Sequence, residues 1–189
     1  PSDKSSEIFL VFFFSLNYNM NFEKFTDKSQ NFISIAYQYA VKNSHQHILP
    51  NHLLKIFINE CKNGSFGILE IPSINLDYLE TSNDKILNNI PSVIGENINI
   101  FFSDKMLELI NQSILNLQEF FDEYVYPELI LYSMFDSCDE KNLEILKKAG
   151  ITKKKVKDYI IEQKKSGRII TNKMSETKNL LEKFSTNLT

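Results

Sequence analysis

Apolar residues recur along this chain in short helical stripes, and the stripes are written twice. Phe25, Phe32, Ala36 and Ala40 fall on one face of a helix, and Met106, Leu109, Ile110 and Leu117 do the same further on. A second stripe, Leu53, Leu54, Phe57 and Ile58, is matched by Ile130, Leu131, Met134 and Phe135. Pro50 recurs as Pro127, and the same offset of 77 residues pairs Phe25-Thr26 with Phe102-Ser103 and Ile33 with Ile110. It also pairs Ile48 with Val125, Cys61 with Cys138, Ile68-Leu69 with Ile145-Leu146, and Ile74-Asn75 with Ile151-Thr152, without a gap. A repeat this long is a structural unit whose copies bury a shared core and leave a groove where they meet.

Each unit reads as four helices. The first opens at Thr26 or Ser103, whose hydroxyls can accept from orphan amides of the first turn. The second opens at Pro50 or Pro127, where a missing N–H costs nothing. A short third helix carries Ile68-Leu69 or Ile145-Leu146, and Gly150 closes it in the second copy as a left-handed residue. The fourth is capped by Asn75 or Thr152 and ends before Pro91 or Gly167. Helices this short are marginal alone in water, so packing between the copies must stabilise them. The expected fold is all-α, a pseudo-twofold bundle of two four-helix repeats. The double repeat spans 20–168, as 20–90 and 102–168 with a spacer at 91–101. A linker and a short helix, about Ser175 to Phe184, occupy 169–189.

Residues 1–19 lie outside the repeat. Ile8 to Phe14 is an apolar run of seven, too short for a bilayer, which needs about 20 residues. Its flanks suit a signal peptide poorly, with Asp3, Lys4 and Glu7 ahead of it and Asn17-Tyr18-Asn19 behind. The preferred reading makes Met20 the natural start and the leader extraneous. The alternatives are a targeting remnant or a strip that packs on a neighbouring surface.

Composition narrows the class. Apolar residues make up 42%, with only five Gly and five Pro, which fits a packed helical domain and not a disordered chain. A net charge of −3 gives no global field for nucleic acid. Two cysteines cannot form a disulfide scaffold and read as reduced thiols in a cytosol-like compartment. Charge is uneven: residues 119 to 144 are acidic, and 147 to 168 carry the basic cluster from Lys153 to Arg168. Each run reads first as a solvated helix face. The basic cluster lacks the interleaved aromatics of a nucleic-acid platform, so no nucleic-acid partner is expected. His45, His47 and His52 have no nearby acid or cysteine to complete a metal set. Cys61 and Cys138 fall at equivalent helix ends and read as packing residues.

Several segments, in order on the doubled frame, carry a resemblance. Asn21-Phe22-Glu23-Lys24-Phe25-Thr26, then His45-Gln46 with Leu49-Pro50-Asn51-His52-Leu53-Leu54, then Asp122-Glu123-Tyr124-Val125 with Glu128, are followed by Leu180-Leu181-Glu182-Lys183-Phe184 and Asn187-Leu188-Thr189. Together they resemble the Clp N-terminal repeat domain, and most closely that of the ClpB disaggregase family, over residues 20 to 189. Departures are visible. Phe121 stands where the family usually has Gly, Pro72 interrupts helix three, and Leu49 and Tyr126 replace small capping hydroxyls.

The resemblance implies a groove that holds apolar segments of unfolded or aggregated clients, with Thr26, Asp122, Glu128 and Leu129 carried over to it. It implies a monomeric domain in a protein that forms hexameric rings, cytoplasmic in a bacterial-type cell or organelle. No cofactor is expected here. The chain has no G-x-x-x-x-G-K-[ST] loop, and the family's ATP and Mg belong to modules outside these 189 residues. The alternative functions are docking of an adaptor or co-chaperone in a protease-linked unfoldase, or a stand-alone peptide-binding module.

Overall fold

The computed structural model describes residues 20–172; the leader and the helix expected near 175–184 lie outside the described residues. The fold is all-α. Copy one contains a 3-10 turn (Phe22–Lys24), α1 (Asp27–Lys42), α2 (Pro50–Lys62), a second 3-10 turn (Gly67–Glu70) and α3 (Leu76–Asn88). Copy two contains α4 (Asp104–Leu115), a short α5 (Leu117–Phe120), α6 (Pro127–Ser137), α7 (Glu140–Lys148) and α8 (Lys153–Lys165). The caps fall where the residue types demand them. Thr26 accepts from the Ser29 amide, Ser103 from Met106, Asn75 from Tyr78 and Thr152 from Lys155. Pro50 and Pro127 each take the first helical position.

Two expectations need correction. The third helix of copy one is only the 3-10 turn Gly67–Glu70, whereas its counterpart α7 has nine residues. Pro72 is the reason: it drives Ile71 into an extended conformation, φ −55° and ψ 126°, where α7 continues through Lys148. Leu117 does not extend the stripe of α4; the helix ends at Leu115 and Leu117 opens α5.

The copies are joined by a reciprocal exchange of extended residues. β1 (His47–Ile48) pairs in parallel with β2 (Phe101–Phe102), and a parallel bridge joins Phe25 to Val125. The offset of 77 maps one pairing onto the other: Ile48 with Phe102 becomes Val125 with Phe25. Even single bonds repeat. The Thr26 amide donates to the Val125 carbonyl at 2.9 Å and the Ser103 amide to Ile48 at 3.0 Å. The axis runs past another equivalent pair, Ser73 and Gly150. Gly150 has φ +87°, and a Cβ there would sit 2.5 Å from the Ser73 carbonyl oxygen.

The core is continuous across the seam. Phe22 packs on Phe25 of its own copy and Phe102 of the other, and Phe32, Phe57 and Phe66 stack beneath α1 and α2. Each fully buried side chain of this size contributes about 1.5–3 kcal/mol. Ile169, in the stretch read as a linker, is buried in the same core. No helix among the described residues is long and apolar enough to cross a membrane.

Of the three histidines, His45 and His52 pair in the core, Nδ1 to Nε2 at 2.9 Å, while His47 is exposed on β1. The Leu49 amide, left without a capping side chain, donates to His52 Nδ1 at 2.9 Å. That bond makes Nδ1 an acceptor, so the His52 proton sits on Nε2 and is donated to His45. Burial, with His45 adding to it, lowers the His52 pKa from 6.5 to about 4.

The unfolded chain takes up this proton near pH 6.5 and the folded chain only near 4. Stability should therefore be full above about pH 6.5 and fall as pH drops toward 4, by about 3 kcal/mol from this group. Urea unfolding from pH 7 to 3.5 checks it; His52→Leu, the residue of copy two, should flatten that slope while lowering the plateau. Gly150→Ala should cost at least about 2 kcal/mol, since its Cβ meets backbone at a positive φ; thermal melting reads the loss.

Candidate functional site

The polar positions carried over from the sequence cluster around the copy-two half of the seam, but mostly beneath the surface. Thr26 is 1% exposed; its hydroxyl caps α1 and contacts the Ser29 hydroxyl at 3.1 Å. Ser29 in turn donates to the Val125 carbonyl at 2.7 Å. Leu129 is wholly buried in the first turn of α6. Glu128, beside it, is buried too, and burial raises its carboxyl pKa. The Lys28 ammonium from α1 and its own main-chain amide pull in the opposite direction. The structure thus brings Thr26, Glu128 and Leu129 together across the exchange, as a fixed joint whose side chains a ligand on the surface does not reach.

The repeat equivalent of Glu128 is Asn51, and it holds a network not legible in the sequence. Asn51 Nδ2 donates to Asn83 Oδ1 and to Asn142 Oδ1, both at 2.8 Å, and Asn83 Nδ2 returns a bond to the Asn51 carbonyl. These amides tie α2 to α3 and to α7 of the other copy. No periodicity signals them.

Asp122 is the one carried-over residue that lines a surface groove. Its carboxylate accepts from Lys164 Nζ at 2.9 Å and from the Tyr126 hydroxyl at 2.9 Å. Lys164 also donates to the Phe120 carbonyl at 2.8 Å. This lysine belongs to the basic cluster, and its neighbours behave alike. Lys153 pairs with Asp136 at 2.6 Å and Lys157 with Glu119 at 2.7 Å. The acidic and basic runs therefore face each other, α8 against α5 and α6, which sequence reasoning left as two separate solvated faces. Exposed pairs of this kind are individually worth only about 0.2–1 kcal/mol. The Asp122 pair is better enclosed, with the carboxylate 7% and the lysine 27% exposed.

The groove itself, about 550 Å³, lies at the end of α4 and along α5. Ile114, Leu117 and Phe121 supply its apolar lining, and Gln118, Asp122, Glu123 and Lys24 its polar part. Phe121 was singled out in the sequence only as a departure from Gly. It adopts a left-handed conformation, φ 56°, and its ring is 96% exposed. Leu115, nearby in sequence, is 66% exposed. Among the described residues no group of three or more His, Cys, Asp or Glu is arranged to hold a metal ion. The Cys138 thiol is pushed up to about 12 by burial, and that of Cys61 is raised for the same reason. Neither has the low pKa of a nucleophile.

A doubled helical unit, locked by reciprocal strand exchange and grooved at one end, defines a pseudo-twofold all-α repeat domain. The family model of the Clp repeat (R) N-terminal domain matches residues 24–149, two thirds of the chain, and the chain belongs to that family. It is 29% identical over 171 residues to the chaperone protein ClpB of Enterococcus faecalis, covering 89% of this chain and 20% of that protein. The corresponding protein of Lactococcus lactis is 28% identical over 173 residues, with 89% and 20% covered. The chain thus spans about a fifth of the length of the curated relatives it matches. Among solved structures it is similar to the Hsp104 N-terminal domain from Candida albicans, with TM-score 0.64 and 22% identity over 79% of this chain and 95% of that one. A ClpV N-domain solved in complex with a VipB peptide gives TM-score 0.58 at 13% identity, covering 73% and 85%.

Glu128 and Asp122 should respond differently to mutation. Glu128→Gln keeps the shape and removes a group whose ionised form burial disfavours, so the variant should stay folded and lose no stability as pH rises, where the parent chain does. Asp122→Ala leaves the Tyr126 hydroxyl without its acceptor and Lys164 with the Phe120 carbonyl alone, and should cost about 2 kcal/mol. Denaturant titration of each variant, across pH for Glu128→Gln, checks both.

Proposed function

We propose that this chain is the client-capturing N-terminal domain of a ClpB-like ATP-dependent disaggregase, and that it holds exposed apolar segments of unfolded or aggregated proteins. The observation that carries the reading is the open groove beside Phe121, apolar along Ile114 and Leu117 and edged by Glu123 and Asp122. An exposed aromatic in such a groove offers a large contact area at little loss of side-chain freedom. The exposed carboxylate of Glu123 favours a segment whose apolar residues are flanked by Lys or Arg. Capture of this kind is weak, which suits handover to a threading ring, since affinity gained in the groove is given up on transfer. The ClpV N-domain solved with a VipB peptide supports a second reading, in which the same end of the fold docks a defined peptide of an adaptor.

Of the residues first assigned to the groove, Asp122 keeps a direct place at its edge. Thr26, Glu128 and Leu129 act by holding the wall against which it is built. The test separates binding from folding. Phe121→Gly removes the ring and relieves the left-handed backbone, so it should raise stability by about 1 kcal/mol while weakening client binding at least about fivefold. A chemical-shift titration with a permanently unfolded client should move Ile114, Leu117 and Gln118. Shifts confined to α8 lysines, or unchanged affinity in Phe121→Gly, would overturn the reading.

A further inference from the structure

The last turn of α2 carries chemistry that the groove does not use. Asn63 is followed by Gly64, the only Asn-Gly pair in the chain. Both residues are exposed, and nothing lies within 4 Å of a Cβ built on Gly64. With no side chain of its own, a glycine nitrogen is the least hindered partner that a preceding side-chain amide can meet. Bonding it to the Asn63 side-chain carbon would close a five-membered ring. The next least crowded asparagine, Asn43 before Ser44, is held differently: its side-chain amide donates to the Tyr39 carbonyl at 2.8 Å. Among the described residues none hydrogen-bonds the Asn63 side chain.

The folded turn keeps that ring open. Asn63 caps α2 at φ −84° and ψ −2°, which turns the Gly64 nitrogen away from the Asn63 side chain. Gly64 follows at φ +81°. Its amide donates to the Cys61 carbonyl at 3.0 Å and the Ser65 amide to Glu60 at 2.8 Å, the paired bonds of a Schellman cap. The nitrogen that would attack is therefore occupied as a donor. Two further contacts brace the turn. Lys28 Nζ reaches from α1 to the Ser65 carbonyl at 2.6 Å, and the Ser65 hydroxyl donates to the Glu60 carboxylate. Phe66, the next residue, is wholly buried, its ring stacked on Phe57 at 4.7 Å.

We infer that Asn63 is a self-modifying site, gated by the last turn of α2. When the turn opens, the Gly64 nitrogen attacks the Asn63 side-chain carbonyl carbon and forms the new C–N bond of a cyclic imide. The bond to the side-chain nitrogen breaks, and ammonia leaves carrying the Gly64 proton. Water then opens the imide at one carbonyl or the other, giving aspartate or isoaspartate. Helix ends open locally at far less cost than the whole fold, so the reaction follows this turn and not global unfolding. Either product weakens the cap. Aspartate sets a carboxylate at the negative end of α2. Isoaspartate routes the main chain through Cβ, and the added carbon disrupts the bonds to Cys61 and Glu60 and shifts Phe66 against Phe57. Copy two has Glu140-Lys141 at the equivalent positions, so only copy one is marked.

The test uses the full chain, incubated at mildly alkaline pH and followed by peptide mapping. Acid should appear first at residue 63, as aspartate and isoaspartate together, and more slowly than in the same chain unfolded in urea. Lys28→Met removes the brace on Ser65. It should speed the native reaction roughly fivefold, the extra opening that one lost hydrogen bond gives, and leave the rate in urea unchanged. Gly150→Ala weakens the fold elsewhere and should leave the native rate as it is. The isolated isoaspartate form should melt about 2–4 °C lower, the shift that loss of one helix cap gives a chain of this size. An intact Asn63 under conditions that convert the unfolded chain overturns the inference, as does conversion that begins at another asparagine. Aspartate without isoaspartate overturns the ring step. Equal rates in the folded and unfolded chain, or equal acceleration by Lys28→Met and Gly150→Ala, overturn the gating by this turn. Unchanged melting of the isoaspartate form overturns its effect on the cap.

Discussion

Everything in this fold hangs on the exchange of one extended residue from each copy to the other. Phe25 lies ahead of the first helix of copy one but pairs with Val125 of copy two; Phe102 lies ahead of copy two but pairs with Ile48 of copy one. Each first helix therefore begins at a point fixed by the opposite copy. Thr26 illustrates the economy of the arrangement. Its amide bonds across the seam while its side chain caps its own helix. Two short parallel pairings would be negligible as a sheet. As paired hooks they set the register of two helical layers whose apolar faces supply the stability. The close pass of Ser73 and Gly150 marks the same axis from the far side, where backbone approaches backbone too nearly for any side chain.

The repeat is symmetrical in its longer helices and in the strand exchange, and unlike in chemistry. Equivalent positions hold His45 and Asp122, Asn51 and Glu128, His52 and Leu129, Ser44 and Phe121. In copy one these residues close the structure: two histidines bond to each other, and Asn51 joins a buried amide network. In copy two the same positions hold a carboxylate paired outward to Lys164, a buried acid and an exposed aromatic. One end of the bundle is sealed and the other is left open. That difference, more than any single residue, gives the domain a face.

The pattern of the chain was enough to place the caps at Thr26, Ser103, Asn75 and Thr152 and both helix-opening prolines, because those features are local and their chemistry is written in one residue; the Asp139 cap of α7 went unread. It was enough to find the doubling, since a gapless offset needs no knowledge of the fold. What stayed hidden depends on distance across the seam. Asp122 and Glu128 look like free acids in sequence, yet one is held by Lys164, 42 residues on, and the other is buried against α1. The acidic and basic runs were each legible, but their mutual pairing follows only from α8 lying along α5 and α6. Pro72 was noticed as an interruption; that it removes a whole helix follows from its forcing Ile71, the residue after the turn, to be extended.

Phe121 gathers these threads. A non-glycine residue in the left-handed region costs on the order of 1 kcal/mol, and leaving a phenyl ring in water forgoes about 2–3 kcal/mol of burial. Ser44 shows that the same turn can be made with a small polar side chain. The described residues offer Phe121 nothing in return: its ring contributes to no core contact and is almost fully exposed. Packing on the ring would recover the burial and so offset the backbone cost, which stays. Asp122, the next residue, is clamped by Lys164 and Tyr126, so the turn cannot relax by swinging away. A rigid base presenting an unsatisfied aromatic beside Ile114 and Leu117 is the physical signature of a surface built for an occupant.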